Sequence, residues 1–155
     1  MLLGLAGVAS ASPRQPRKFR IKGYTTSIDL DFSVYPFVAG LVSEGKVIRH
    51  IQGTFEMDED LFFVVDESGN FIPLESSGWL TITTKKGDDV LIWFEGGPDP
   101  DGETISGDFW VDYGTGFYAE LNGGGTYNGI PDDCDPVTLE CPGFYVDFTF
   151  TYWDD

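Results

Sequence analysis

Between Ile105 and Gly129 the chain reads ISGDFWVDYGTGFYAELNGGGTYNG, and this stretch constrains the fold more than any other. Ile105, Gly107, Phe109, Val111 and Tyr113 alternate with Ser106, Asp108, Trp110 and Asp112. That two-residue rhythm belongs to a sheet with one buried face. After Gly114-Thr115-Gly116 the rhythm resumes at Phe117, Ala119 and Leu121, which predicts a second strand. Gly123-Gly124-Gly125 then removes side chains where a sheet bends sharply or backbones approach closely.

The same rhythm recurs along the chain. Phe19 and Ile21 share one parity and Ile28, Leu30 and Phe32 the other, which predicts a β-bulge near Gly23. Pro36 and Gly40 mark 34–40 as a loop. KVIRHIQGTFEMD reads as one strand with Val47, Ile51 and Phe55 on a common face. LFFVV (61–65) is a short apolar strand ahead of a turn at Glu67-Ser68-Gly69-Asn70. GWLTITT and VLIWFEG flank KKGDD, the strongest hairpin signal. The last strand, GFYVDFTFTYW, sets Phe144, Val146, Phe148, Phe150 and Tyr152 on one side. No segment keeps a helical apolar period over three turns.

These patterns predict an all-β chain: a single antiparallel β-barrel of about eight strands, with a β-sandwich as the alternative. The glycines favour the barrel, because tight curvature needs them. Ile105, Phe109, Val111, Phe117, Leu121, Phe144, Val146, Phe148 and Phe150 are expected to line its interior. There they either surround a small apolar ligand or fill the space completely.

A length of 155 residues fits one domain. The chain carries 26 acidic and 9 basic side chains. Five of the nine, Arg14, Arg17, Lys18, Arg20 and Lys22, precede Gly23, so the remainder holds 4 basic and 26 acidic groups, a net −22. Such a body repels phosphate backbones, which argues against nucleic acid as a partner and favours cations or basic partners.

MLLGLAGVASASP has the form of the back half of a secretory signal, an apolar run closing on Ala9-Ser10-Ala11. We therefore read 1–11 as a signal remnant, 12–18 as a polar lead-in and 19–155 as the barrel domain. The missing positive leader implies that the natural start lies upstream, and export implies a secreted or periplasmic protein. No apolar run is long enough to span a bilayer. Cys134 and Cys141, in CDPVTLEC, are expected to form a disulfide in that compartment.

LLGLAGVASA, RHIQGTF, GDDVLIWFEG, YGTGFYAELNGGGTYNG and the terminal FYVDFTFTY together carry a resemblance. In this order they resemble a group of secreted bacterial proteins whose barrel is similar to that of allene oxide cyclases and dirigent proteins. The resemblance covers most of 19–153, and the Asp-rich insert at 131–142 departs from it. It implies the barrel, and a cyclase or isomerase activity as an alternative to pure binding. It brings no catalytic residues.

The residues themselves supply no catalytic signature either. The single histidine, His50, has the parity of Ile48, Gln52 and Thr54, away from the core. Tyr113, Tyr127, Arg49 and Glu56 are the polar candidates for the interior. Asp99, Asp101 and Glu103 form one acidic loop cluster, and Asp132, Asp133 and Asp135, with Glu140 nearby, form a second. Either has oxygen ligands suited to calcium, although the full EF-hand register is absent, and no other cofactor is expected. Trp93, Trp110, Tyr118, Tyr145 and Trp153 have the parity of polar neighbours. They suit cross-strand pairing, an oligomer interface between copies of this chain, or a sugar-stacking platform.

Overall fold

A computed structural model describes residues 17–100, 104–119, 123–129 and 145–152. Eight strands follow in chain order: β1 (Arg17–Asp31), β2 (Phe37–Arg49), β3 (Gly53–Val65), β4 (Phe71–Thr84), β5 (Asp89–Pro98), β6 (Ile105–Gly114), β7 (Gly124–Gly129) and β8 (Tyr145–Tyr152). Each pairs antiparallel with its neighbours in sequence, and β8 returns to β1. The barrel is closed and the sandwich is ruled out. Among the described residues no helix is long and apolar enough to cross a membrane.

Several boundaries differ from the sequence reading. KVIRHIQGTFEMD is not one strand: β2 ends at Arg49, whose φ of 80° is left-handed, and β3 begins at Gly53. The expected loop at 34–40 is shorter, because β2 already begins at Phe37. Phe117 and Ala119 do not continue a strand. Gly116–Tyr118 is a 3₁₀ turn closed by Tyr118 N–H donating to the Thr115 carbonyl at 2.9 Å.

The phase break in β1 is real, but its bulge falls between Thr25 and Ser27 rather than at Gly23. The extra residue, Thr26, returns Ile28 and Leu30 to the inner face, opposite Leu41 and Ala39. A second bulge leaves Asp112 unpaired between Val111 and Tyr113, so Tyr113 turns outward and is exposed.

The main core fills the barrel from side to side. Phe19 and Phe150 stack with centroids 4.9 Å apart and planes 2° from parallel, and Phe109 meets Phe150 edge-on at 5.2 Å. Ile21, Leu80, Ile82, Val90 and Ile92 close around these rings, all essentially inaccessible. Burying a side chain of this size contributes roughly 2 kcal/mol.

β1 to β4 hold 13–15 residues each, whereas β5 to β8 hold 6–10. Pairing of β1 with β8 stops at Tyr24, and pairing of β4 with β5 stops at Ser76. Beyond those points the four long strands continue alone as a curved flap.

Candidate site: a polar layer beneath an apolar cup

The inner positions of the long strands change character where the barrel gives way to the flap. Along β1 the inward series runs Ile21, Gly23, Thr25; along β2 it runs Val47, Gly45, Ser43. On β3 it runs Phe55, Met57, Glu59, and on β4 Ile82, Leu80, Gly78, Ser76. Four consecutive strands thus each place one polar residue above the apolar core. Thr25 and Ser43 satisfy one another, their hydroxyl oxygens 3.0 Å apart. Ser76 is buried, and Glu59 is partly so.

Tyr127 completes this layer from the far wall. Its phenol is 3% exposed and packs against Phe94, Phe148 and Phe150. The ring lies over Gly107 and Gly96: a β-carbon at Gly107 would stand 2.8 Å from Cε1 and one at Gly96 2.5 Å from Oη. Only residues without side chains leave room for it there. The hydroxyl reaches the polar layer toward Ser76 without a well-formed hydrogen bond among the described residues.

Burial lifts the Glu59 carboxyl to a pKa of about 7; the Ser76 hydroxyl tempers this rise and the neighbouring Asp60 adds to it. Although part of its surface remains accessible, enclosure by protein outweighs that opening. Burial also raises the Tyr127 phenol, reinforced by the charge of Glu59 and eased by Ser76. The layer therefore holds a carboxyl that exchanges its proton near neutrality and a phenol that stays protonated.

Above it the flap is apolar again. Ala39, Leu41 and Phe63 form a second buried cluster with Phe37 and Leu61 against it. Ile28, Leu30 and Phe32 extend this inner surface yet remain 44%, 51% and 57% exposed. Phe32 meets Phe37 at 5.1 Å and Phe63 at 5.9 Å, which fixes it on the concave side. The result is an open apolar cup with a polar floor.

Of the residues expected to line the interior, Phe109, Val146 and Phe150 are buried in the main core, and Ile105, Val111 and Phe148 pack against its edge. The Phe117 side chain, Leu121 and Phe144 lie outside the described residues. Among the polar candidates only Tyr127 faces inward. Arg49, Glu56 and Tyr113 are exposed, the first at a turn, the second at outward parity and the third past a bulge. Glu59 is the inward carboxylate, set in the series Phe55, Met57, Glu59, Leu61, Phe63 because 53–65 runs on as a single strand. His50 is exposed, with the Arg17 guanidinium 3.2 Å from Nε2.

On the outside, Trp79, Trp93 and Trp110 stand side by side across β4, β5 and β6. Tyr118 departs from the expected surface group, because the 3₁₀ turn tucks it partly against the main core. The Tyr145 side chain and Trp153 lie outside the described residues, as do Cys134 and Cys141. Asp101, Glu103, Asp132, Asp133 and Asp135 lie outside them too. Asp99 is described: its two oxygens accept hydrogen bonds from the Thr104 and Ser106 hydroxyls, which hold its carboxyl below the usual range. Among the described residues no group of three His, Cys, Asp or Glu is gathered as for a metal.

No protein family, curated protein or solved structure matches this chain.

Proposed function

We propose that this is an exported, non-catalytic binding barrel that takes one small, mainly apolar molecule in the cup at its open end. The observation that carries the reading is the continuous inner surface of Ile28, Leu30, Phe32, Leu41 and Phe63, apolar and only half covered. Soluble proteins seldom leave such concave surface without an occupant. The main core is packed ring on ring, so the cup, rather than the barrel's centre, is the place for the ligand. Glu59 and the Tyr127 hydroxyl, which makes no well-formed hydrogen bond among the described residues, suit at its floor a ligand with one polar group at its buried end. Native mass spectrometry of protein from an expressing host, followed by solvent extraction, tests this. A retained apolar molecule supports the reading; an empty protein that also ignores a neutral apolar dye overturns it.

A second reading, a cyclase or isomerase, rests on the convergence of Glu59 with Tyr127. A shaped pocket restrains a flexible substrate, and a carboxyl that titrates near neutrality is suited to moving a proton. Its mark is turnover lost in Glu59→Gln while ligand affinity persists. A third reading, a calcium-stabilised extracellular module, rests on the acidic loops and is tested below.

A further inference from the structure

The outer face of β3 to β6 carries a feature that the cup does not use. In the strand register Asp58 stands beside Trp79, Trp79 beside Trp93 and Trp93 beside Trp110. Trp79 and Trp110 are 40% and 46% exposed, although tryptophan ordinarily loses most of its surface on folding. The next outward row is Asp60, Ser77, Glu95 and Asp108. A shallow groove of about 590 Å³ continues past Trp79 and Trp93 to Asp58, Asp60 and Asp29, and no basic residue lines it.

We propose that this face is a docking site for an arginine- or lysine-rich segment of a partner polypeptide. Three observations select that occupant. The indoles of Trp79 and Trp93 lie 4.9 Å apart at 65°, so they form a corner rather than the flat slab on which sugar rings stack. A corner of aromatic faces suits a cation, which is drawn to the ring quadrupole. The surrounding charges are all carboxylates, and no ion pair ties Asp29, Asp58, Asp60, Glu95 or Asp108 to a described residue. A guanidinium placed there gains ring and carboxylate contacts together. Finally, the surface from Asp29 on β1 to Trp110 on β6 crosses five strand spacings, roughly 24 Å of curved face. A single small cation cannot span it; about seven residues of extended chain can. A second copy of this chain fits poorly, since a two-fold interface here sets acidic row against acidic row.

The test uses the whole protein and a synthetic octapeptide of alternating arginine and glycine, followed by tryptophan fluorescence. We expect saturable binding that weakens with salt, and about tenfold lower affinity in Trp79→Ala and in Trp110→Ala, whose net charge is unchanged. Asp58→Asn with Asp60→Asn should weaken binding and flatten its salt dependence. Circular dichroism establishes that each variant is folded. Affinity unchanged in both tryptophan variants overturns the proposal, because charge alone then explains binding. So does cellohexaose binding in place of the peptide, or tetramethylammonium displacing it at equal concentration. Self-association abolished by Trp110→Ala overturns it in favour of a second copy.

Discussion

A β-carbon on Gly96 would stand 2.5 Å from the hydroxyl of Tyr127 and 2.2 Å from the Ser106 carbonyl oxygen. Strand β5 is therefore bare at this position because the β6 backbone and a ring from β7 together occupy the space. Gly96→Ala should lower stability by about 3 kcal/mol, as an overpacked core does. Tyr127→Phe should move it by about 1 kcal/mol or less, toward greater stability, since the buried hydroxyl makes no well-formed hydrogen bond among the described residues. Urea unfolding of both variants checks the pair.

Glu59 predicts a pH dependence with a definite sign. Its pKa rises from 4.5 to about 7 on folding, so the folded state binds its proton more tightly than the unfolded chain. Stability from this group is fully present below pH 4.5 and is lost as pH rises through 7. The loss is at most about 3 kcal/mol. Asp66 and Asp99 shift the other way and act only in more acidic solution. Glu59→Gln should be the more stable protein at pH 8, and the difference should vanish near pH 4. Denaturant midpoints across that range measure it.

The seam between β1 and β8 carries a two-pronged ion pair. Arg20 Nε and one terminal nitrogen donate to the two oxygens of Asp147 at 2.7 and 2.6 Å, partly shielded from water. Asp147→Asn should cost about 1 kcal/mol, and Arg20→Lys nearly as much, because an ammonium cannot make both bonds. A double-mutant cycle by thermal unfolding separates the pair from its surroundings.

Asp99 already spends its oxygens on Thr104 and Ser106. Asp99→Asn should therefore leave the unfolding temperature's response to millimolar calcium against chelator unchanged. A calcium-dependent rise that disappears in Asp99→Asn would support the calcium-stabilised module instead.

Much of this architecture was legible in the residues. Alternation in β5, β6 and β8 announced the closed sheet, since apolar and polar positions there exchange at every step. The parity of Trp93 and Trp110 with charged neighbours announced the outer aromatic row, and Trp79 carried the same signal beside Thr81 and Thr83. Other features were not. Glu59 fell between two expected strands, ending at Asp58 and starting at Leu61, and took its place in the apolar series only because 53–65 runs on as a single strand. Whether a phase break falls at Gly23 or at Thr26 depends on pairing with β2, which no local pattern encodes. The turn at Arg49 hides inside an unbroken alternation, because a left-handed arginine leaves no mark in composition. The cup itself arises from unequal strand lengths across the barrel, a tertiary property.

The most direct test of the cup is a titration with N-phenyl-1-naphthylamine, a neutral apolar dye that the acidic surface does not repel. The wild-type protein should bind one equivalent with a blue-shifted emission, and Leu30→Asp should abolish the signal without unfolding the barrel. Binding that is absent in the wild type, or undiminished in Leu30→Asp, would contradict the account.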